Sequence, residues 1–501
     1  MIEQSLNLSS RPWSASAARM TPAQNALIDA LSGQLDAKSI VTDPAEIAPW
    51  ETDWRGRYHG HAPALIAPSS RDEVSAVVRL ATRFGVPLVP QGGNTSMVGG
   101  ATPPGNGSAL ILSTRRMNRI RSLSADANLA IAEAGVILAD LHAAAEEIGR
   151  RFPLTLGARG SATIGGLVST NAGGTQVLRW GTMRALVAGV EAVLPDGSIH
   201  DGLSALKKDN RGYDLNQLLI GAEGTLGVVT AAALRLAPAI AARGVAWAGL
   251  QNPADALALL RRMEAATSAI ESFEIIPGDS LELVVEHIPG TRKPLAGTHP
   301  WHVLIEAVSS DPAAESPAAL LERLLAPALE SGLVADAVIA ASEAQADAFW
   351  RIRDSLSEAE RASGPAVQHD ISVPVDVMPR FMIEAARAAE QRFAGTHATA
   401  FGHLGDGNVH FHVRAPAGTD RDRWYAEEAP GITRFVNDLV VAAGGSISAE
   451  HGIGQMKIGE LARLAPPGRI EAIRAIRRAL DPAGIMNPGK LVTLAPGNEA
   501  P

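Results

Sequence analysis

Two glycine-rich runs almost without charge constrain this chain more than anything else in it: Pro90-Gln91-Gly92-Gly93-Asn94-Thr95-Ser96-Met97-Val98-Gly99-Gly100, and the stretch from Pro153 to Gly174. Paired glycines permit backbone conformations and close approaches denied to other residues, and successive amides beside the Thr95 and Ser96 hydroxyls can cradle a diphosphate. The second run contains Gly157, Ser161, Gly165, Gly166, Ser169, Asn171, Gly173 and Gly174, small residues against which a large flat ligand can lie. A third segment, Gly221-Ala222-Glu223-Gly224-Thr225-Leu226-Gly227, turns the chain into an apolar run that begins Val228-Val229. None of them is a Walker A loop, which ends in Gly-Lys-Ser/Thr, or the Gly-x-Gly-x-x-Gly of dinucleotide folds. Each could be a tightly packed loop and nothing more, but several such runs in one domain make that reading less attractive.

Around these runs, periodicity predicts helices over 21–35, 74–84 and 138–148, and strands over 86–89, 109–113, 130–136 and 186–194. Ser70 and Glu73 have capping-box spacing before the second helix. With 501 residues the chain exceeds the size at which one core continues to grow, so at least two domains are expected. A lead-in over 1–60 is followed by a first domain over 61–240. Strands at 244–250 and 301–307 then alternate with alanine- and leucine-rich helices at 253–267 and 316–331, which fits a second domain over 241–445 covering the first. Residues 446–501 form a closing segment.

Composition narrows the function. The net charge of -9 argues against a broad phosphate-binding surface, hence against nucleic acid as a partner. The chain has no cysteine, which excludes disulfides, thiolate ligands and a cysteinyl link to a cofactor. No uninterrupted apolar run approaches a membrane span, and the N-terminus lacks a secretory signal, so a cytoplasmic protein is expected. Arg11 and Arg19 among serines leave a mitochondrial presequence as the alternative.

The stretch Phe401-Gly402-His403-Leu404-Gly405-Asp406-Gly407-Asn408-Val409-His410-Phe411-His412 carries the second strong signal. Two apolar runs flank a Gly-Asp-Gly turn, so His403 and His410 face one another across a hairpin. Imidazoles suit a borderline divalent ion, and Glu450, in Ala-Glu-His-Gly-Ile-Gly, is the best third ligand. The alternative is a set of hydrogen-bonded strand histidines. Upstream, Arg351 and Arg353 offer guanidiniums that could clamp a carboxylate or pair with Asp354 or Glu358.

The three glycine-rich segments, in their order and separation, resemble the FAD-contacting segments of the vanillyl-alcohol-oxidase-type flavoproteins. That likeness implies an α+β fold: an FAD-binding domain of two subdomains, an α+β substrate domain as a cap, and a C-terminal segment that returns to the flavin. It assigns FAD contacts to Pro90, Gln91, Gly92, Gly93, Asn94, Thr95, Ser96 and Gly99. In the second segment it assigns Pro153, Gly157, Ser161, Gly165, Gly166, Ser169, Asn171, Gly173 and Gly174. Glu223, Gly224, Gly227, Val228 and Val229 follow, with Asn487 from the C-terminal segment. The 90–100 loop has neither histidine nor cysteine, so FAD is expected to be dissociable. Lys208, Asn210 and Tyr213 lie on a segment that in these proteins leads toward the isoalloxazine; solvent-facing lysines and a packed tyrosine are the alternative.

A narrower resemblance, over about residues 60 to 490, is to the metal-containing FAD-linked D-2-hydroxyacid dehydrogenases. It implies His403, His410 and Glu450 as ligands of a divalent ion, zinc first and manganese second, with His451 as the base. Trp350-x-x-Arg353 matches the substrate-carboxylate motif, Ser357 supplies a hydroxyl near substrate, and Asn408 steadies substrate or the metal shell. Gln368 stands where relatives acting on a second carboxylate commonly have lysine, which weakens a dicarboxylic substrate without excluding it. Lys457 or Arg351 could compensate if the fold points either into the pocket. The expected reaction oxidises D-2-hydroxyglutarate or D-lactate to the 2-oxoacid, with proton removal by histidine and hydride transfer to flavin N5. Reoxidation falls to an external acceptor such as an electron-transfer flavoprotein or a quinone-linked carrier, and a homodimer is compatible with the likeness. Two other classes remain open: a flavin oxidase of an aromatic alcohol or sugar, and a non-catalytic flavin- or metal-binding protein.

Overall fold

The computed structural model describes residues 20–204 and 206–494, so Arg11 and Arg19 lie outside the described residues. A four-stranded sheet runs in the order Ile40–Val41, Leu65–Ile66, Leu110–Ser113, Leu88–Gln91, with Leu110–Ser113 parallel to both of its neighbours. Leu110–Ser113 is buried throughout, as a parallel strand covered on both faces must be. Helix Arg71–Phe84 starts at Ser70, whose hydroxyl accepts the Glu73 amide. The Glu73 carboxylate reaches back one residue further than a capping box requires, to the amide and hydroxyl of Ser69. The predicted strand over 86–89 is therefore shifted, with Gln91 inside it and Val86 in the lead-in.

A five-stranded antiparallel sheet follows, in the order Ile120–Ser124, Leu129–Glu133, Val228–Arg235, Val187–Val193, Ile199–Asp201. Glycine-rich helix Ile164–Thr170 packs on its central strand. The segment carrying Lys208, Asn210 and Tyr213 leads into a short helix, Leu215–Leu219, capped by Asp214. Lys208 and Asn210 are exposed and Tyr213 is 96% exposed, so this segment is solvent-facing.

Seven antiparallel strands spanning residues 242–414 form the third large sheet, ordered Asp336–Ile339, Ala242–Leu250, Trp301–Ser309, Ile270–Pro277, His397–His403, Asn408–Arg414, Ala366–Ser372. One face holds an apolar core with Leu259, Leu321, Met382 and Val436 from the helices that cover it. The other face carries the polar residues considered below. Finally the chain returns to the first sheet: the Leu88 amide donates to Ile485 O and the Asn487 amide to Leu88 O, each at 2.8 Å. The architecture is α+β, as expected.

Candidate active site

Side chains alternate across a strand, so every second residue shares a face. On the face opposite the apolar core, His403 is opposed by Asn408 and Glu274, His410 by Phe401 and Asp370, and His412 by Gln368. His403 and His410 are thus diagonal neighbours on one hairpin, with ring centroids 5.5 Å apart and planes at 76°. Glu450 comes from the loop beyond helix Ala429–Ala442, which is zipped to the sheet edge by paired backbone bonds between Ser372 and Ser446. One donor atom each from His403, His410 and Glu450 lies within 4.8 Å of the other two. Two imidazoles and a carboxylate are a donor set that suits a divalent metal ion, and Glu450 among them also lines the cleft.

Two buried carboxylates hold this cluster. Glu274 accepts from His403 Nδ1 at 2.6 Å and from Arg353 Nε at 2.8 Å. Asp370 Oδ2 accepts the amides of Glu450 and His451, each at 3.0 Å, and lies 3.3 Å from His451 Nδ1. Its Oδ1 accepts Asn408 Nδ2 at 2.9 Å. Burial opposes charge on both acids, yet Arg353 and His403 keep Glu274 below its ordinary value, and His451 and Lys457 keep Asp370 far below it. Burial alone would lower His403, but Glu274 outweighs it and holds the imidazole up to about 9. Burial, with the negative charge of Asp370 next, pushes Glu450 up to about 7. His410 is driven well below its usual value by burial and by Arg353, so it stands as a neutral donor. Burial lowers His451 too, against the pull of Asp370.

Arg353 sits in the last turn of helix Glu343–Asp354, and Trp350, one turn earlier on the same face, donates to Glu306 at 2.6 Å. The Trp-x-x-Arg spacing therefore docks the helix on two neighbouring strands. One edge of the guanidinium is committed to Glu274, and Nη2 lies 3.1 Å from His403 Nε2. Ser357 is half-buried on helix Leu356–Ser363. Gln368 has a buried amide Nε2 without a partner. Arg351 turns away, donating to Pro289 O from an exposed position, whereas Lys457 is half-buried and donates from Nζ to Ile447 O at 2.9 Å.

Beside the cluster opens a cleft of about 830 Å³. Its walls include Pro90 to Ser96, Gly157, Ser161, Gly165, Gly166, Ser169 and Gly173, then Glu223, Gly224, Gly227, Val228 and Val229, and finally Glu450 and His451. The first two glycine-rich runs touch through backbone: a Cβ on Gly93 would lie 1.8 Å from Ser161 O. Buried polar atoms without a protein partner remain around it, namely Gln91 Oε1, Thr163 Oγ1 and Asn487 Oδ1. Asn94, Asn171, Glu223 and Asn487 all hold left-handed backbone, φ between 42° and 52°. Such strain gathers at ligand sites. An apolar, close-packed cradle with unsatisfied donors and acceptors fits a dinucleotide-sized flavin.

Five residues expected to touch the cofactor stand behind this wall. Gly99 packs on Gln455 and Tyr58, Gly174 on Thr155 O, and Pro153 is buried. Asn171 Oδ1 accepts from Thr182 and the Arg184 amide. Asn487 Nδ2 ties Gly100 O to Glu223 O. They shape the loops because small residues and left-handed asparagines are also what tight turns need. Glu223 both lines the cleft and binds the amides of Ile453 and Gly454 at 2.7 Å, joining it to the C-terminal loop. Sequence reasoning missed Glu274 and the role of Asp370. The available signal was an acid inside an otherwise apolar strand, as in Phe273-Glu274-Ile275-Ile276.

A family model described as "FAD linked oxidases, C-terminal domain" matches residues 240–491, and one described as "FAD binding domain" matches residues 62–202. The chain is 35% identical over 460 residues to the mitochondrial D-2-hydroxyglutarate dehydrogenase of Arabidopsis thaliana, covering 91% of this chain and 80% of that protein. It is 36% identical over 462 residues to the D-2-hydroxyglutarate dehydrogenase of Xanthomonas citri pv. viticola, covering 92% and 96%. With a D-2-hydroxyglutarate–pyruvate transhydrogenase of Saccharomyces cerevisiae it shares 33% over 460 residues, 90% of each chain. In fold it is similar to p-cresol methylhydroxylase, with TM-score 0.71 at 14% identity over 94% of this chain and 97% of that one. Alkyldihydroxyacetonephosphate synthase gives TM-score 0.68 at 15% identity over 94% and 86%.

Proposed function

The chain belongs to the FAD-linked oxidases, and from that premise we propose that it oxidises a D-2-hydroxyacid, D-2-hydroxyglutarate or D-lactate, to the 2-oxoacid in an FAD-dependent reaction. The observation that carries this reading is the shared position of Glu450 and His451. Both line the flavin-sized cleft, and Glu450 is at the same time the third donor of the His403–His410 cluster. When bound, FAD supplies the two-electron acceptor, and a divalent ion on His403, His410 and Glu450, zinc or manganese, supplies Lewis-acid polarisation of the substrate oxygens.

The chain's own residues do the rest. Arg353 presents the guanidinium edge not taken by Glu274 to the substrate carboxylate, and its rigid seat between Glu274 and His403 fixes where C2 lies. His451 is turned with Nδ1 toward Asp370, which leaves Nε2 to take the 2-hydroxyl proton. Burial keeps that imidazole neutral, the form a base requires, while the Asp370 carboxylate stabilises the imidazolium once formed. Asn408, held by Asp370 and Ile371 O, keeps an unpartnered Oδ1 at the site. Reoxidation is assigned to an external carrier, an electron-transfer flavoprotein or a quinone-linked protein.

Anaerobic mixing with D- and L-2-hydroxyacids, read as bleaching of the flavin band, tests the proposal. Reduction by D-isomers supports it. Reduction by L-isomers alone, or by aromatic alcohols or sugars in preference, overturns it.

A further inference from the structure

The segment from Ile447 to Lys457, which carries Glu450 and His451, is neither helix nor strand, and its fixed points come largely from elsewhere in the chain. Lys457 Nζ closes its neck by donating to Ile447 O at 2.9 Å. Beyond the neck the loop amides go out in pairs. Those of Glu450 and His451 go to Asp370 on the seven-stranded sheet, at 3.0 Å each. Those of Ile453 and Gly454 go one to each carboxylate oxygen of Glu223, at 2.7 Å. Those of Gln455 and Met456 go to Val98 O in the first glycine-rich run, at 3.1 and 3.3 Å, and Gln455 Nε2 adds a bond to Gly99 O at 3.0 Å.

Glu223 is itself held firmly. Its amide donates to Ser169 O at 2.8 Å and its carbonyl accepts Asn487 Nδ2 at 2.6 Å, so the second glycine-rich run and the C-terminal segment both fix its backbone. It keeps a left-handed φ of 51°, which is costly for a residue with a Cβ. The residue lines the cleft, but both of its carboxylate oxygens are engaged by the loop. On the loop, left-handed glycines on either side of Ile453, with φ of 79° and 53°, turn successive amides toward one anion. A Cβ on Gly452 would lie 2.9 Å from Glu223 Oε1, and one on Gly454 2.3 Å from Val98 O, so these contacts require glycine. A Cβ on Gly173 would lie 3.7 Å from Glu450 Oε1, which sets that carboxylate against the flavin cradle as well. We propose that Glu223 is a positioning residue, whose carboxylate latches the loop to the flavin cradle and thereby sets Glu450 and His451 relative to the flavin.

This rests on the metal donor and the base assigned above and adds how they are held. His451 lies two residues and Glu450 three residues before Ile453. Asp370 ties their amides to the substrate domain, whereas Glu223 and Val98 tie the loop to the flavin domain. Val98 offers one neutral carbonyl at 3.1 and 3.3 Å; Glu223 offers two carboxylate oxygens at 2.7 Å and is the stronger tie. A base and a flavin that act on one substrate must be held to within about 0.5 Å of the productive geometry. A displacement of about 1 Å costs up to about a hundredfold in rate. Glutamine at this position has the same shape but one acceptor oxygen, so one of the two amides then faces an NH2. Aspartate keeps both acceptors on a shorter stem.

The test compares wild type with Glu223→Gln, Glu223→Asp and Gln455→Ala as FAD-loaded protein, with the FAD content of each determined. Calorimetric titration of zinc into metal-stripped samples gives Kd, and anaerobic flavin reduction by D-2-hydroxyglutarate or D-lactate gives kcat and KM. In Glu223→Gln the zinc Kd should rise about 20-fold, as for other residues that orient a metal ligand from outside the coordination sphere. Its kcat should fall about 30-fold, while KM moves less than about threefold, because Glu274 holds Arg353 apart from the loop. Glu223→Asp should recover part of both losses. Gln455 lies off the cleft wall, and Gln455→Ala should raise Kd in the same direction by a smaller factor. If Glu223→Gln keeps its FAD, a zinc Kd and a kcat both within threefold of wild type overturn the latch and leave the reaction standing, and so does a loss confined to KM. If it loses FAD, an unchanged Kd in Gln455→Ala overturns the latch. A wild type that binds no zinc sinks the metal assignment, and one whose flavin no hydroxyacid reduces sinks the reaction; the other readout then decides the latch, and where both fail it falls with them.

Discussion

Replacing Asp370 by asparagine isolates what one buried charge does for the site. The carboxylate accepts three hydrogen bonds, from the amides of Glu450 and His451 and from Asn408 Nδ2, and its Oδ2 also faces His451 Nδ1. Asparagine has the same shape but one acceptor oxygen. Turned to serve the two backbone amides, it sets its NH2 against the NH2 of Asn408. Asn408 cannot flip freely, because its Nδ2 also donates to Ile371 O at 3.0 Å. One donor pair is left opposed, at about 1 to 3 kcal/mol of stability. What His451 loses is the negative charge 3.3 Å from its Nδ1, worth about 1.5 to 3 kcal/mol on the scale of contacts to a charged group. At about 1.4 kcal/mol per tenfold, kcat for flavin reduction should fall by about 10- to 150-fold. KM should move far less, since Arg353 and Glu274 lie on the other side of the cluster. Rapid-mixing reduction under anaerobic conditions measures both, with FAD and metal content determined on the same sample. A kcat within threefold of wild type at full occupancy refutes the orienting role.

Glu271 carries a different load: it is fully buried, takes both Arg151 terminal nitrogens and accepts from Arg179 and Trp180, so it clamps the seven-stranded sheet to the segments on either side of the second glycine-rich run. Glu271→Gln leaves Arg151 without its counter-ion and should cost about 3 kcal/mol, which lowers the melting midpoint of the FAD-loaded protein by about 6 to 12 °C; a shift under 2 °C contradicts the clamp. Metal affinity should rise with pH, because an ion displaces the proton that Glu274 holds on His403 up to about 9 and, below about 7, the one on Glu450. Calorimetric titration of zinc into metal-stripped protein in two buffers of different ionisation enthalpy should show proton release at pH 7 and little above pH 9; no release at either pH rejects the assignment of these donors. Denaturation should free FAD into the soluble fraction, since the 90–100 loop offers no histidine or cysteine for attachment, and flavin retained on the precipitated polypeptide would show a covalent link.

Much of the site was legible because its residues sit where local rules apply. The Gly-Asp-Gly turn predicts a hairpin, and a hairpin brings His403 and His410 together whatever the rest of the chain does. Glu450 was readable through the Ala-Glu-His-Gly-Ile-Gly stretch that holds it. The glycine-rich runs announce close backbone approach, and the contact of Gly93 with Ser161 O is that approach. Glu274 and Asp370 were not legible as partners, because their pairing depends on how strands distant in sequence align. Arg353 was read as a carboxylate clamp or a partner of Asp354 or Glu358, and one edge of it is taken by Glu274, which neither reading named.

The division of the seven-stranded sheet into two faces explains why the cluster can be both polar and rigid. Val409, Phe411 and Val413 point into the apolar core, while Asn408, His410 and His412 alternate with them on the other side. A slip of one residue in the hairpin would expose the first set and bury the second, so burial of the apolar face fixes the register of the ligands. Close packing at the turn adds to this: a Cβ on Gly402 would lie 2.2 Å from Asn408 O, so the strands meet more closely there than any side chain allows. The positions of His403 and His410 are therefore set by the core behind them before any ion is bound. That preorganisation lets a cluster of two imidazoles and one carboxylate stay assembled in spite of the desolvation that burial imposes on each.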